Sequence, residues 1–340
     1  MTQRNILVTG ASGTVGFEVL KQLLEKRSYH ITVFDKKTKL LVEKLRAYKD
    51  KVQLIFGDIT NPFDVAKIPN IDAVIHLATI IPPLADKNPE LAEKVNTQGT
   101  QNLIHHLEKT SPNAFFMYSS SISVYGDRVE HPFIKVGDSL MPSENDVFAE
   151  TKIAAEESVQ KSQLDWTIFR LAAIMGNHKI SKLMFRQPLN TALEFCTPRD
   201  MARAFVNAID KQPELSEKIF NLGGGERCRI RYKHFLERSF TIFGLGALDF
   251  PKFAFADKNF HFGFYADGHD LENILHFRQD SLDDYFAMEA SKVSSFQKTA
   301  ASTFNKPIKW VLLKMSEPYR AFRTQDAKQL HYYFNLNSQS

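Results

Sequence analysis

Short apolar runs separated by polar turns recur along the first half of the chain, which is the hydrophobic pattern of buried parallel strands. The first run covers residues 6–8, and apolar residues then recur at helical spacing over 15–24 with polar residues between them. Later runs predict four more strands, over 30–34, 52–56, 71–78 and 114–118. The pattern therefore predicts strands alternating with helices, with one further helix near 89–109.

Three glycines connect the first strand to the first helix. Gly10, Gly13 and Gly16 follow the spacing G-x-x-G-x-x-G. Glycine permits a tight turn and a close approach of pyrophosphate, and the first turn of a helix offers unpaired N–H groups and a positive dipole end. An ordinary tight turn is the alternative. The position at a strand–helix junction favours a nucleotide site.

Acidic residues follow the second and third predicted strands. Asp35 lies 19 residues beyond Gly16, where an acid accepts hydrogen bonds from the adenosine ribose and repels a 2′-phosphate. This favours NAD over NADP, although Lys36 and Lys37 could tolerate that phosphate, and a turn-capping acid is the other interpretation. Asp58 could contact the adenine amine or cap its own turn.

Composition limits the class of protein. The 340 residues are enough for about two domains, and 43% apolar with 24% charged residues is ordinary for a globular chain. No apolar run approaches the roughly 20 residues of a membrane span. Two cysteines, Cys196 and Cys228, suggest neither a disulfide framework nor a metal site, so we expect a cytoplasmic protein. A net charge of +4 is too small to indicate nucleic acid binding.

Several stretches together resemble the extended short-chain dehydrogenase/reductases of the NAD-dependent epimerase/dehydratase type. The matching stretches span most of residues 5–290 in the family's order, at 9–16, 57–58, 76–78, 95–100, 119–121, 124–126, 165–171, 200–204 and 220–225. The resemblance implies an α/β fold, a Rossmann-type doubly wound parallel sheet with a smaller α+β substrate domain. It implies an NAD-binding domain over 1–175, to which 195–225 returns, and a substrate-binding region over 176–290.

The resemblance also implies an NAD site. Carried over residue by residue, the cofactor contacts fall on Gly10, Ser12, Gly13, Thr14, Val15, Gly16, Asp35, Asp58, Ile59, Leu77, Ala78, Asn96 and Lys152.

The family's catalytic set is a serine, a tyrosine and a lysine, and the tyrosine is missing here. Ser121 falls on the serine position and Lys152 on the lysine, but Phe148 stands where the tyrosine should be. In such sites the tyrosine moves a proton. A free phenol has a pKa near 10, so proton transfer near pH 7 requires electrostatic stabilisation of the phenolate equivalent to about three pKa units, or roughly 4 kcal/mol. Phenylalanine has no proton to give, so we expect cofactor binding to survive and the catalysis to be altered.

No residue stands out from sequence as a replacement for the tyrosine. We interpret Tyr125 as packing first and a proton donor second, and Tyr118 as part of a buried strand. The acids Glu144, Asp146 and Glu150 lie where acids usually serve a helix dipole.

Two regions bear on the substrate. The 18 residues 177–194 form a short insert containing His178, Lys179, Lys182 and Arg186, which indicates either a smaller or anionic substrate or an exposed basic loop. The aromatic residues of 250–265 alternate in part, as in extended segments that pack a small domain.

Residues 291–340 extend beyond the family's usual ending as a basic, aromatic C-terminal extension, with eight lysines and arginines against two acids. Pro307 is placed to open a helix with an apolar stripe of Ile308, Val311, Leu312 and Met315. This helix could dock on its own body or on a second subunit; attachment to an anionic membrane surface is the other hypothesis.

We therefore expect an NAD-dependent epimerase/dehydratase-like oxidoreductase acting on a sugar-derived or other small carbonyl or carbinol substrate, in a homodimer. The alternative is a catalytically inactive NAD-binding sensor or scaffold protein.

Overall fold

The computed structural model describes residues 3–176 and 182–335. Its strands are β1 Arg4–Thr9, β2 Tyr29–Asp35, β3 Gln53–Phe56, β4 Ala73–His76, β5 Phe115–Ser121, β6 Phe133–Ile134, β7 Asp165–Leu171, β8 Ala173–Ile174, β9 Ala192–Cys196, β10 Lys218–Leu222, β11 Arg229–Arg231 and β12 Phe264–Tyr265. All five strands predicted in the first half are present, with bounds that differ by up to three residues.

The helices cover both faces of the sheet and most of the last third of the chain. They are α1 Thr14–Lys26, α2 Lys39–Leu45, α3 Pro62–Val65, α4 Leu84–Lys87, α5 Pro89–Ala92, α6 Gly99–Thr110, α7 Val147–Gln160, α8 Leu183–Arg186, α9 Pro198–Ala208, α10 Gln212–Leu215, α11 Tyr232–Phe243, α12 Gly268–Leu275, α13 Leu282–Ser291, α14 Ser295–Thr303, α15 Asn305–Lys314, α16 Glu317–Thr324 and α17 Ala327–Tyr333. A π-helical segment, Glu93–Gln98, interrupts the helix predicted near 89–109. No helix in 3–176 or 182–335 combines the length and the apolar character that crossing a bilayer requires.

The main sheet of the described residues has seven strands, all parallel, in the order β10-β7-β5-β4-β1-β2-β3. The chain runs outward from β1 to β3 and then crosses back to β4 on the other side of β1. Loops that leave β1 and β4 therefore diverge, and a crevice opens at the carboxyl ends of these two strands, where doubly wound sheets bind ligands. The predicted Rossmann-type α/β fold is confirmed.

Both faces of the sheet are buried, which explains why the strands read as continuous apolar runs. Successive strand residues point to opposite faces, and in β1 the side chains of Ile6 and Val8 enter one core while Leu7 enters the other. The first core includes α1 and α9, and the second includes residues of α6 and α7.

A smaller region is built from later parts of the chain. Strands β8, β9 and β11 form a second sheet, and β6 pairs with β12. Its core combines residues of β9 with residues of α11, α13 and α15. Within the segment predicted to return to the main domain, α9 packs against α1 and β10 joins the main sheet, whereas its first two residues, Phe195 and Cys196, end β9 of the small sheet.

The aromatic stretch 250–265 is mainly irregular, and only Phe264–Tyr265 is a strand. The alternation in the sequence reflects packing in several directions rather than one pleated surface. Phe250 and Phe255 pack around Phe185, with ring centroids 5.2 and 5.0 Å away, while Phe253 stacks on Phe322 of the C-terminal extension at 4.2 Å.

The C-terminal extension docks on its own chain. Leu312 is buried in the core of the small region, and Ile308 packs against that core. Ser316 donates a hydrogen bond from Oγ to the Ala254 carbonyl, 2.6 Å away. The other two residues of the predicted stripe, Val311 and Met315, are 52% and 38% exposed, so only half of the stripe faces the body.

Separate alanine substitutions at two adjacent residues of α15 test this docking. We expect Leu312→Ala to lower the free energy of unfolding by about 2–4 kcal/mol, because it leaves a cavity in the core. The matched control Val311→Ala, at an exposed position, should change it by less than about 0.5 kcal/mol. Chemical denaturation measures both values, and equal effects would contradict the docked position of α15.

Candidate active site

A cleft of about 750 Å³ opens at the carboxyl ends of the main-sheet strands. Its walls are the glycine turn after β1, the ends of β2 to β5, the start of α7 and the segment around Phe262. The predicted cofactor residues and the predicted catalytic positions lie along this one cleft, apart from Asn96.

The glycine turn leaves the N-terminus of α1 open. Gly10 has a φ of +72°, and a Cβ there would lie 2.7 Å from the Ala78 nitrogen, so any side chain would collide with the loop after β4. Gly13 is the N-cap of α1, where no side chain caps the helix and no acid lies in the first turn. The N–H groups and positive dipole end are therefore available to an anion such as pyrophosphate.

Asp35 is positioned at the end of β2 beside this turn. Its Oδ2 accepts hydrogen bonds from the backbone N–H and the hydroxyl of Ser12, at 3.1 and 3.0 Å. The two lysines that follow are engaged elsewhere. Lys36 Nζ bonds Asp58 Oδ2 at 2.8 Å, and Lys37 Nζ lies 5.4 Å from the ring centroid of Phe56. Both lysines therefore have partners within the chain, although Lys36 also lines the cleft.

Asp58 lines the cleft at its β3 end. Burial raises the pKa of its carboxyl, but hydrogen bonds from Lys36 and Thr60 outweigh this effect, and the pKa is lowered. Its Oδ1 accepts hydrogen bonds from the Thr60 N–H and hydroxyl at 3.0 and 2.8 Å, so the turn-capping interpretation describes part of its role.

The other predicted cofactor contacts lining the cleft are Gly10, Ser12, Gly13, Thr14, Val15, Gly16, Asp35, Ile59, Leu77, Ala78 and Lys152.

Asn96 does not line the cleft. Its Oδ1 accepts hydrogen bonds from the Thr79 hydroxyl and the Ile80 N–H, and its Nδ2 donates to the Ile80 carbonyl and the Thr151 hydroxyl. All its side-chain groups are therefore occupied in joining the loop after β4 to α7. Asn96 lies outside the cleft lining in this structure, and the cofactor contact expected of it stays a prediction.

Ser121, Phe148 and Lys152 meet at the other end of the cleft. Ser121 Oγ accepts hydrogen bonds from the N–H and hydroxyl of Ser123, at 3.1 and 2.9 Å, and within 3–176 and 182–335 no group accepts its own proton. Lys152 Nζ donates to the Ser119 carbonyl at 2.8 Å and lies 5.7 Å from the ring centroid of Phe148. The i, i+4 spacing on α7 places Phe148 and Lys152 on one face.

Burial lowers the pKa of Lys152 to about 7, and the carboxylate of Glu156 opposes only part of that effect. The side chain is 2% exposed. An amine with this pKa can change its charge near neutral pH, and it reaches the cleft between the strand end and α7.

Tyr125 and Tyr118 are both buried parts of the framework, as the sequence interpretation expected. The Tyr125 hydroxyl accepts a hydrogen bond from Arg170 Nη1 and donates one to Asn221 Oδ1, each at 2.8 Å, and burial raises its pKa to about 12. Tyr118 is 1% exposed, and burial raises its pKa well above the usual range. Neither residue lines the cleft.

The basic insert contributes less to the cleft than one alternative suggested. Lys182 and Arg186 both form ion pairs with Glu317 of the C-terminal extension, and Arg186 also pairs with Asp86 at 3.2 Å. These two cations are therefore neutralised within the chain and do not form an anion site. His178 and Lys179 lie outside the described residues.

Several residues that line the cleft were absent from the predicted site, among them His261 and Phe262. His261 and Phe262 reach it from the irregular segment before β12, far along the chain from Phe148. The sequence showed only an aromatic alternation there, which gave no reason to place a histidine opposite α7. No cluster of His, Cys, Asp and Glu suited to a metal ion occurs in residues 3–176 and 182–335.

A profile of the NAD dependent epimerase/dehydratase family matches residues 6–223, more than half of the chain. Among curated proteins, 3 beta-hydroxysteroid dehydrogenase type 7 of Mus musculus is 35% identical over 133 residues, which are 38% of this chain and 36% of that protein. The decarboxylating sterol-4-alpha-carboxylate 3-dehydrogenase of Candida albicans is 33% identical over 188 residues, 51% of each chain. The chain thus spans about a third to a half of the length of these relatives.

Solved structures share the fold. UDP-glucuronic acid 4-epimerase from Bacillus cereus, in complex with UDP-glucuronic acid and NAD, has a TM-score of 0.71 at 21% identity, covering 87% of this chain and 99% of that one. dTDP-glucose 4,6-dehydratase from Streptomyces venezuelae, with NAD bound, has a TM-score of 0.68 at 20% identity, covering 84% and 96%. The family's NAD dependence confirms the predicted cofactor, and the preference over NADP stays a prediction.

Substitution of Asp35 tests that preference. We expect Asp35→Ala to weaken NADH binding about 10–100-fold, because a hydrogen bond to a charged group contributes about 1.5–3 kcal/mol. NADPH binding should be unchanged or tighter, since the repulsion of its phosphate disappears. Fluorescence titration of both cofactors provides the measurement, with the exposed Asp270→Ala as control. Tighter NADPH than NADH binding by the wild type would refute the preference.

The buried amine of Lys152 predicts a pH-dependent stability. Its pKa is about 7 in the folded protein, against about 10.4 in the unfolded chain. Between these values the unfolded chain binds more protons, so this group makes the free energy of unfolding rise with pH. Urea unfolding at pH 7, 8 and 9 should show a wild-type slope about 1 kcal/mol per pH unit more positive than that of Lys152→Met. Identical pH profiles would contradict the depressed pKa.

Proposed function

Since the chain belongs to the NAD-dependent epimerase/dehydratase family, we propose that it is an oxidoreductase that interconverts a hydroxyl and a carbonyl group on a small-molecule substrate. The observation that carries this proposal is the single cleft that joins the open α1 N-terminus and Asp35 to Ser121 and Lys152. A sensor or scaffold would need only the cofactor half of this cleft.

Each part of the cleft has a role in this proposal. The α1 N-terminus at Gly13 binds the pyrophosphate, and Asp35 accepts hydrogen bonds from the adenosine ribose. Lys152 binds the nicotinamide ribose, and Ser121 donates its free hydroxyl proton to the substrate oxygen. NAD supplies the hydride acceptor or donor when bound.

The walls of the cleft support an apolar substrate. Apolar side chains that line the cleft include Ile80, Ile81, Leu91, Ile174 and Phe262, and Ile80 packs with Phe148. A nucleotide-sugar diphosphate would need cations to bind it. The described lining offers only Lys36, Lys94 and Lys152 and contains no arginine. The names of the curated relatives refer to hydroxysteroids and sterol carboxylates. We therefore place hydrophobic alicyclic alcohols and ketones first, and sugar derivatives second.

We also propose a cytoplasmic homodimer. The two cysteines are free and buried, and burial raises the pKa of both thiols, which suits a reducing compartment. The docking of α15 on its own body accounts for half of the apolar stripe without a membrane. Light scattering on the purified protein tests the dimer, and a monomer mass would exclude it.

Turnover of a substrate panel tests the function. We expect NAD-linked oxidation of hydroxysteroids and other cyclic alcohols to exceed that of nucleotide sugars. Ser121→Ala should lower kcat by about 10²-fold with NADH affinity unchanged, because it removes a donor to the reacting oxygen. The control Ser239→Ala, on α11 outside the cleft lining, should match the wild type.

Two outcomes would count against this function. Tight NADH binding without turnover of any alcohol or ketone would favour the sensor or scaffold. Faster turnover of nucleotide sugars than of cyclic alcohols would reject the apolar substrate class but would leave the oxidoreductase function standing.

A further inference from the structure

A histidine–aspartate pair stands beside the position where the family tyrosine is missing. His261 Nδ1 lies 3.2 Å from Asp146 Oδ2, and the two side chains are only 17% and 12% exposed. Asp146 precedes Phe148 by two residues at the start of α7. The pair therefore lies within one helical turn of the place where the proton-transferring group is lost.

His261 is part of the same cleft wall as the predicted catalytic positions. His261 lines the cleft together with Ser121, Phe148 and Lys152. Its Nδ1 is committed to Asp146, and among the residues that the structure describes none bonds its Nε2. An imidazole held at one nitrogen by a carboxylate presents the other nitrogen in a fixed orientation. In this protein the second nitrogen is Nε2 of His261, whose ring lines the cleft.

The segment that carries His261 is fixed on the side away from the cleft. The Asn259 N–H donates to Asp127 Oδ2 at 2.5 Å, and the Glu144 N–H donates to Asn259 Oδ1 at 2.9 Å. His261 itself forms an isolated antiparallel bridge with Asp127. The ring of Phe260 stacks on the His261 ring with centroids 4.8 Å apart. These contacts restrict the motion of the imidazole.

Asp146 is held equally well. Its Oδ1 caps α7 by accepting a hydrogen bond from the Ala149 N–H at 3.0 Å, which leaves Oδ2 for His261. Burial raises the pKa of this carboxyl, but the hydrogen bond and charge of His261 outweigh it, and the pKa is lowered. The carboxylate therefore stays ionised and can stabilise an imidazolium.

We propose that His261, oriented by Asp146, performs the proton transfer that the missing tyrosine performs elsewhere in the family. His261 is a catalytic residue in this proposal and Asp146 is its positioning residue. The proposal rests on the oxidoreductase function proposed above.

The proton and electron balance is simple in the oxidation direction. The substrate O–H bond breaks and its proton goes to His261 Nε2. The carbinol C–H bond breaks as the C=O bond forms, and NAD, when bound, would accept the hydrogen together with its electron pair. The imidazolium then carries one positive charge beside the Asp146 carboxylate and releases its proton to solvent. In reduction, each of these transfers runs in reverse.

Substitutions at both members of the pair test the proposal by activity. His261→Gln should lower kcat by about 10²–10⁴-fold with little change in KM or NADH affinity. Asp146→Asn should lower kcat by about tenfold or more while preserving the helix cap, since asparagine also caps helices. The matched control is His269→Gln, because His269 also lies 3.2 Å from an aspartate, Asp270, but at the exposed surface.

Rescue separates a catalytic histidine from a structural one. Phe148→Tyr introduced into His261→Gln should restore at least about tenfold in kcat, since the new hydroxyl would stand beside Lys152 and supply a proton. A loss of activity that Phe148→Tyr does not restore, with NADH affinity also reduced, would mean that the pair only tethers the segment, and would overturn the proposal.

A readout independent of turnover uses the protein without cofactor. Nuclear magnetic resonance should show a slowly exchanging Nδ1–H resonance of His261 that is lost in Asp146→Asn and retained in His269→Gln. Absence of that resonance in the wild type would overturn the proposal. Wild-type turnover that His261→Gln leaves unchanged would reject His261 and leave the proposed oxidoreductase function standing. No turnover by the wild type would reject both.

Discussion

The buried amine of Lys152 is the constraint on which the site depends. Removal of an amine from water is unfavourable unless it finds a partner, and Lys152 finds the Ser119 carbonyl at the end of β5 and the ring of Tyr118, 4.9 Å from Nζ. This contact ties α7 to the carboxyl end of β5, next to the β4 side of the crevice between β1 and β4. The N-terminus of α7 is thereby held over the cleft, which sets the places of Phe148 and Asp146.

This arrangement separates two tasks that the family's usual tyrosine and lysine share. In the proposed function, cofactor binding uses the glycine turn, Asp35 and Lys152, none of which needs a hydroxyl at position 148. Proton transfer needs a titratable group at the cleft, and phenylalanine removes it while it keeps the packing of Ala85 and Ala92. The cleft can therefore keep its binding half intact while its proton chemistry moves to another element of the fold.

Sequence predicted the parts of the site that are local. The glycine turn and Asp35 follow their strands directly, and Phe148 was located by its spacing from Lys152. The remainder depends on contacts between distant segments. The family pattern predicts a cofactor contact for Asn96, and the structure adds four hydrogen bonds to Thr79, Ile80 and Thr151. His261 lies in an irregular segment whose path is set by hydrogen bonds to Asp127 and Glu144. Contacts between segments so far apart in the chain leave no periodic pattern in the sequence.

A crystal structure with NAD bound would test the central claim most directly, namely that this chain keeps the family's cofactor site and relocates its proton transfer. The account predicts the pyrophosphate at the N-terminus of α1 and Lys152 Nζ on the nicotinamide ribose. It also predicts nicotinamide C4 facing a space bounded by Ser121, Phe148 and His261, wide enough for a carbinol carbon at about 3–3.5 Å. A nicotinamide placed away from that space, or a His261 ring turned out of the cleft, would contradict it.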